Sequence, residues 1–178
     1  MKNVNWDNVQ DDVRKAEVGG YIVKITRVED REDKECLLIE WDFAEGALKG
    51  ANQETADAFG FWPMAFVASY KEKALRFFKG FKTAVEQSNR YYVFRNDPQS
   101  LVGKYVGVVL GEEEYLSKNN ELKTRLYVAE KRSGKAIRDG DYKIPALKKL
   151  PAQQAQSYQA AEQQDFALLG DDDAELPF

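Results

Sequence analysis

The alternation of apolar and polar residues predicts five β-strands in this chain. It is clearest in residues 36–43, where every second residue from Leu37 to Phe43 is apolar and Glu40 and Asp42 lie between them. Because side chains alternate across a strand, this segment is expected to present one face to a core. The predicted strands span residues 21–28, 36–43, 59–67, 101–111 and 122–131.

One helix is predicted between the third and fourth strands. Ser69 and Glu72 have the spacing of a capping box, with Ser69 as the N-cap and Glu72 as the third helical residue. Apolar residues then recur every three or four positions, and the helix is expected to end near Gln87. The apolar stripe consists of Ala74, Phe77 or Phe78, Phe81 and Val85. We expect all three phenylalanines to lie in the core.

The order of these elements predicts the fold class. Residues 44–58 are rich in glycine and small polar residues and predict a long loop. Three strands, a helix and two further strands match the OB-fold, a five-stranded barrel, with one helix between strands 3 and 4. The chain is therefore predicted to be mainly β, with an OB-fold domain at residues 19–150. An α+β sheet with one packed helix is the alternative.

The composition excludes several kinds of chemistry. The chain has no histidine and a single cysteine, Cys36. It therefore has no histidine general base, no internal disulfide and no cysteine-cluster metal site. Cys36 opens an apolar run and is expected to be buried. The adjacent carboxylates Glu112 to Glu114 raise the alternative of a metal-dependent nuclease, but neighbours in a strand alternate faces and do not converge on one ion. We expect no enzymatic activity, no metal site and no cofactor.

Charge is distributed unevenly along the chain. The formal net charge is −4, yet residues 59–150 contain 18 basic and 10 acidic residues, a net charge of +8. Residues 1–58 contain 8 basic and 14 acidic residues, and residues 151–178 contain six acidic and no basic residues. A basic middle between two acidic ends predicts a polyanionic partner for the middle.

Aromatic and basic residues are interleaved in this basic middle. Binding of a single nucleic-acid strand requires cations for the phosphates and flat side chains on which splayed bases stack. The alternative is structural: the aromatic residues fill the core and the lysines form a solvated helix face. Strand alternation favours Arg125 and Tyr127, because it turns them away from Leu126 and Val128. The candidate nucleic-acid-binding residues are Lys24, Arg27, Trp62, Tyr70, Lys71, Lys73, Arg76, Lys79, Lys123, Arg125 and Tyr127.

The composition changes abruptly after Leu150. Residues 151–170 are rich in Gln and Ala and predict a flexible, disordered linker, whereas residues 1–18 are expected to form an N-terminal arm. Residues 171–178 place four carboxylates ahead of Leu, Pro and a final Phe. A solubilising tail is the simplest interpretation, but such a tail need not end on its most apolar residues. A pocket with a cationic rim and an apolar floor would bind this segment.

This acidic tip resembles the C-terminal tip of bacterial single-stranded DNA-binding proteins, a run of Asp followed by an apolar residue, Pro and Phe. The insertion of Ala174 and Glu175 changes the spacing but keeps the order. The resemblance implies that the tip recruits replication or recombination proteins. Residues 69–75 and 103–107 are similar to segments of proteins encoded by phages and mobile elements. The residues expected to bind a partner are Asp171, Asp172, Asp173, Glu175, Leu176, Pro177 and Phe178.

Body and tip together predict a protein that binds and protects single-stranded DNA in replication or recombination, without sequence preference. The alternative is an adaptor whose body binds protein and whose acidic C-terminus docks a partner. No membrane span or signal peptide is predicted, so a cytoplasmic location is expected. The sequence leaves open whether the protein is a homo-oligomer, how many nucleotides fill a site, and whether it prefers DNA or RNA. It also leaves open which protein binds the tip and whether the tail autoinhibits.

Overall fold

The computed structural model describes residues 14–150. Most of the predicted N-terminal arm, the linker at 151–170 and the acidic tip at 171–178 lie outside the described residues. The strands are β1 (Gly19–Arg31), β2 (Cys36–Phe43), β3 (Ala65–Ser69), β4 (Tyr105–Leu116) and β5 (Leu122–Arg132). The helices are α1 (Ala51–Phe59), α2 (Leu75–Ser88) and α3 (Gly134–Arg138), with 3₁₀ turns at Glu32–Lys34, Glu72–Ala74 and Pro98–Leu101.

β1 is the central strand of the sheet. The strands follow the order β3-β2-β1-β4-β5. β1 pairs antiparallel with β2 and with β4, and its register with β2 shifts between Ile25 and Arg27. The protein is therefore mainly β, as predicted, and its five strands form an open antiparallel sheet.

The core forms where α2 packs against this sheet. The predicted inward face of β2 is confirmed, since every second residue from Leu37 to Phe43 is buried, and so is Cys36. Phe81 of α2 meets Phe66 of β3 edge to face, with ring centroids 5.5 Å apart. Burial of each large apolar side chain contributes about 1.5–3 kcal/mol. These contacts fix α2 on the sheet and leave its opposite face exposed.

The loop prediction for residues 44–58 is wrong, because α1 occupies Ala51–Phe59. The buried carboxylate of Asp42 accepts hydrogen bonds from the backbone N–H groups of Asn52 and Gln53, at 3.0 and 3.1 Å. These are two of the N–H groups that a helix leaves without an intrahelical partner at its start. Asp42 therefore acts as the helix cap from the neighbouring strand, a role that local sequence does not reveal.

The predicted third strand and capping box also differ from the structure. β3 begins at Ala65 rather than at Phe59, because α1 continues to Phe59 and Gly60 ends it in a left-handed conformation with φ 74°. Ser69 closes β3, and its hydroxyl accepts from the N–H of Lys71, so it does not cap α2. Phe77 is expected in the core but is 65% exposed, whereas Phe78 packs against the core.

β4 and β5 were predicted with different accuracy. β4 begins at Tyr105 instead of residue 101, because a 3₁₀ turn covers Pro98–Leu101 and Gly103 is left-handed with φ 82°. β5 agrees with its prediction to within one residue. Asn120 adopts the left-handed conformation, φ 62°, between the two strands.

Contacts divide the chain into two compact units. The first contains residues 14–111 and Leu126–Pro145, and the second contains Glu112–Arg125 and residues 146–150. In the second unit, backbone hydrogen bonds of 2.9 and 3.0 Å join Lys148 to Glu114 and Glu112. None of the helices in the described part of the chain is long and apolar enough to cross a membrane.

Candidate nucleic-acid interface

A basic groove of about 500 Å³ runs beside α2 in the first unit. Four cations line it, two from α2 and two from the end of β5, together with one acidic residue, Asp141. The uncharged part of the lining is small or polar, so that cationic side chains dominate the surface. The residues that line this α2 groove are Arg76, Lys79, Gly80, Thr83, Ala84, Gln87, Lys131, Arg132, Ser133, Ala136 and Asp141.

Among residues 14–150, three of the four cations in the α2 groove have no carboxylate partner. Arg132 pairs with Glu130 at 2.9 Å, but no carboxylate of residues 14–150 forms an ion pair with Arg76, Lys79 or Lys131. A cation whose charge is not already neutralised displaces more counterions when it meets a phosphate. The groove therefore has the electrostatic character of an anion-binding surface.

Lys131 is the most enclosed of these cations. Its ammonium group lies 5.0 Å from the centre of the Phe66 ring. Burial lowers the pKa of Lys131, because the charged form loses solvation. The side chain thus holds an incompletely solvated charge, which a phosphate oxygen would stabilise.

An exposed aromatic ring adjoins the α2 groove. The Arg76 guanidinium lies 4.5 Å from the ring centre of Phe77, which is largely exposed. Arginine over an aromatic ring is a cation–π arrangement, and both groups also stack on nucleobases. α2 therefore places a cation suited to a phosphate next to an aromatic ring suited to a nucleobase.

The wall opposite α2 depends on close packing between β4 and the segment that follows β5. A Cβ atom on Gly107 would lie 2.4 Å from the Ile137 side chain and 2.9 Å from the Arg132 carbonyl oxygen. Ser133 begins α3, and its hydroxyl accepts from the N–H of Ala136 at 3.2 Å. The absence of a side chain at Gly107 thus lets Arg132 and Ser133 approach β4.

The sequence-predicted cations are only partly brought together. Arg76 and Lys79 share the α2 groove, and Lys71 and Lys73 are exposed just before α2. Lys24 is exposed on β1, and Arg27 is engaged by Glu29 and Glu40, each at 3.1 Å. Arg27 must therefore exchange these partners before it contacts a phosphate.

Two predicted stacking residues are held by structural hydrogen bonds. The indole N–H of Trp62 donates to the Trp41 carbonyl at 3.1 Å, and the Tyr70 hydroxyl donates to Asp30 at 2.8 Å. Tyr70 also meets Phe78 edge to face, with centroids 6.2 Å apart. Both side chains thus contribute to the packing of the body, whether or not they also contact a ligand.

The hydrogen bond of Tyr70 predicts a specific pH dependence of stability. It raises the pKa of Tyr70 to about 12, with further contributions from desolvation and from the charge of Asp30. Because the folded pKa lies above the unfolded value of about 10, the stabilisation is complete below about pH 10 and is lost as pH approaches 12. We expect the difference in unfolding free energy between wild type and Tyr70→Phe to shrink over this range. Urea unfolding at several pH values measures it, and a constant difference would contradict the assignment.

The hairpin residues in the second unit form ion pairs of their own. Arg125 pairs with Glu113 at 2.8 Å, and Lys148 pairs with the same carboxylate at 3.1 Å. The hydrogen bonds from Lys148 and Arg125 hold the pKa of Glu113 below its usual value, and the bond from Lys148 has the larger effect. Lys123 pairs with Glu121 at 2.7 Å. Tyr127, in the first unit, is half-buried.

Sequence reasoning missed Lys131 and Arg132 as candidates. The Lys-Arg pair stands immediately before Ser-Gly, a helix-start signal that places it beside a turn. Phe59 and Phe61 belong to the interleaved aromatic residues but not to the candidate list; they are exposed at 59% and 58%, and their ring centroids are 6.3 Å apart. The predicted tip residues, 171–178, lie outside the described residues.

Acidic residues in the described part of the chain, 14–150, form no cluster that could hold a metal ion. No protein-family model matches this chain, and a search of curated proteins finds no match either.

Proposed function

We propose that the protein binds single-stranded DNA through the α2 groove, without sequence preference and without a chemical step. The observation that carries this proposal is the convergence of Arg76, Lys79, Lys131 and Arg132 on one groove, to which the described residues contribute a single acid. Such cations displace the counterions that are condensed on the phosphate backbone, so the affinity falls as salt rises. Phe77 offers an adjacent surface for a base, and a stacked base contributes roughly 1–3 kcal/mol.

Several features support an OB-type barrel as the scaffold for this function. In the order β3-β2-β1-β4-β5, a closed barrel requires β3 and β5 to meet. Lys131 of β5 lies 5.0 Å from the ring centre of Phe66 of β3, so the two edge strands approach each other. α2 follows β3 and precedes β4 in the chain.

The phosphate contacts are proposed on α2 rather than on the strand 2–3 face that OB-folds commonly use. β2 and β3, with the sequences CLLIEWDF and AFVAS, contain no Lys or Arg. Glu40 of β2 adds a carboxylate, which is paired with Arg27. A strand of nucleic acid would therefore find its counter-charges beside α2.

The acidic tip completes the proposal. By its resemblance to the tip of bacterial single-stranded DNA-binding proteins, it would recruit replication or recombination proteins to a coated strand. The body then binds DNA through the basic groove, and residues 171–178 bind a partner protein.

Fluorescence anisotropy tests the proposal with labelled oligo-dT and its duplex form, across a salt series without magnesium. The proposal requires tighter binding to the single strand, with an affinity that falls steeply as salt rises. Equal binding to both forms, or no binding, would remove the function assigned to the body.

One observation favours a second candidate, an adaptor that binds protein. A cleft of about 510 Å³ in the first unit has a mainly apolar lining and two acidic residues. It would suit a partner segment that binds mainly through apolar side chains. This function predicts binding that depends little on salt and no preference for single strands. The cleft is lined by Asp30, Glu32, Leu37, Tyr70, Leu75, Phe78, Phe94, Asn96 and Pro98.

Lys131 allows stability and DNA affinity to be separated. Lys131→Met keeps an unbranched side chain of slightly shorter length and removes a poorly solvated charge, so we expect Tm to rise by about 2–4 °C. The same variant should bind oligo-dT more weakly, with a log–log salt slope smaller by about 0.7, as expected for one lost phosphate contact. Thermal unfolding and anisotropy measure the two effects. Unchanged DNA binding would remove Lys131 from the interface.

A further inference from the structure

Tyr91 has an unusual backbone conformation and an unusually exposed side chain. It follows α2 with φ 62°, in the left-handed region that bulky residues rarely adopt. Its side chain is 87% exposed, more than any other large hydrophobic side chain in residues 14–150. A strained residue that buries nothing gains no packing energy in return. Such strain is often associated with function.

Contacts anchor the residues on both sides of Tyr91. The Asn89 side chain accepts from the N–H of Tyr105 at 3.0 Å and donates to its carbonyl at 2.8 Å. After Tyr91, the Tyr92 hydroxyl hydrogen-bonds the Ser100 hydroxyl at 2.8 Å, and Lys104 lies 4.8 Å from the Tyr92 ring centre. The Tyr91 ring is thus presented to solvent from a fixed backbone.

A cation accompanies the ring. The Arg90 guanidinium lies 4.7 Å from the ring centre of Tyr91. A flat ring beside a guanidinium matches the chemistry of an unpaired nucleotide, whose base stacks and whose phosphate accepts hydrogen bonds.

Shared lining residues and hydrogen bonds link the α2 groove to the turn that contains Tyr91. Gln87 lines the α2 groove and also a second cavity of about 280 Å³, which Tyr105 lines as well. Asn89 holds Tyr105 by two hydrogen bonds and stands two residues before Tyr91. The helix from Arg76 to Gln87 is about 16 Å long. A strand that lies in the groove along α2 would therefore leave it beside Tyr91.

We propose that Tyr91 stacks an unpaired nucleobase of a strand whose phosphates occupy the α2 groove, and that Arg90 contacts the adjoining phosphate. This inference rests on the proposed single-strand binding. The binding surface then extends beyond α2 to the turn that follows the helix. In that turn the protein contacts a base as well as the phosphate backbone of the strand.

Variants at Tyr91 test the inference against two strands of equal length, oligo-dT and an oligonucleotide of abasic sites. Tyr91→Gly removes the ring and suits the left-handed backbone, so its Tm should not fall below that of wild type. We expect its affinity for oligo-dT to drop about tenfold. Tyr91→Trp should restore binding, and wild type and Tyr91→Gly should bind the abasic strand equally. Asn120→Gly, at another left-handed position with φ 62°, is the matched control and should bind like wild type.

The outcomes separate this inference from the proposed function. If wild type binds oligo-dT tightly and Tyr91→Gly binds it equally well, the stacking role is wrong and single-strand binding stands. An equal loss on both strands would also overturn it, because the contact would not involve a base. If wild type binds neither strand, the proposed function fails, and this inference fails with it.

Discussion

Replacing Arg76 and Lys79 together by glutamine should lower the affinity for oligo-dT roughly 50-fold at 50 mM salt. Both side chains line the α2 groove, and no carboxylate in the described part of the chain forms an ion pair with either. Each phosphate contact to a single strand contributes about 0.7 to the slope of log affinity against log salt, so the slope should fall by about 1.4. The two proteins should bind almost equally near 1 M salt. Anisotropy titrations across the salt series measure both quantities.

A matched control has the same change in charge outside the groove. Lys34 and Lys49 are exposed and belong to the acidic first part of the chain. Lys34→Gln with Lys49→Gln should change affinity by only the small amount expected from net charge. If both double variants lose affinity equally, binding depends on overall charge and the α2 groove has no special role.

Asp42→Ala should destabilise the fold by about 2–4 kcal/mol, which lowers Tm by about 5–15 °C. The Asp42 carboxylate is buried and accepts from the backbone N–H groups of Phe43, Asn52 and Gln53, at 2.7–3.1 Å. Alanine leaves these donors without a partner, two of them at the start of α1. Thermal or urea unfolding measures the loss.

Asp57→Ala is the control for this prediction. Asp57 is an exposed acid on the same helix, bonded only by the Gln53 side chain among the described contacts. We expect its replacement to change stability by no more than about 0.5 kcal/mol. An Asp42→Ala protein as stable as Asp57→Ala would show that the cap contributes little to α1.

The strands in the centre of the sheet could be predicted because local pattern and tertiary packing agree there. β2 begins and ends where alternation placed it, and every second residue from Leu37 to Phe43 is buried. α1 could not be predicted in the same way. Its cap comes from Asp42, and Arg14 pairs with Glu54 and hydrogen-bonds the carbonyl of Ala47. Arg14 is 40 residues away from Glu54, and Asp42 lies in a different element from the helix that it caps, so helix periodicity reveals neither contact.

The sequence predicted which part of the chain is basic, but not which of its residues come together in the α2 groove. The split of charge along the chain located the basic middle, and the helix pattern gave Arg76 and Lys79. Lys131 and Arg132 join them only because Gly107 lets the end of β5 and the start of α3 pack closely on β4. Trp62 and Tyr70 looked equally suitable for stacking in the sequence. Their hydrogen bonds to Trp41 and Asp30 depend on the sheet.

Tyr91 illustrates the limit of sequence reasoning most directly. A Tyr-Tyr pair after a helix is as compatible with burial as with exposure. The structure buries part of Tyr92 and exposes Tyr91, because Asn89 fixes the turn through its hydrogen bonds to Tyr105. Tyr91 also differs from Tyr92 in its backbone conformation, φ 62°, which local sequence does not reveal.

Hydrogen–deuterium exchange with and without oligo-dT tests the central claim, that the α2 groove holds the strand. We expect slower exchange in α2 and in residues 129–136 when DNA is bound, and unchanged exchange in α1. Slowed exchange confined to α1 or β3, with α2 unaffected, would contradict the claim.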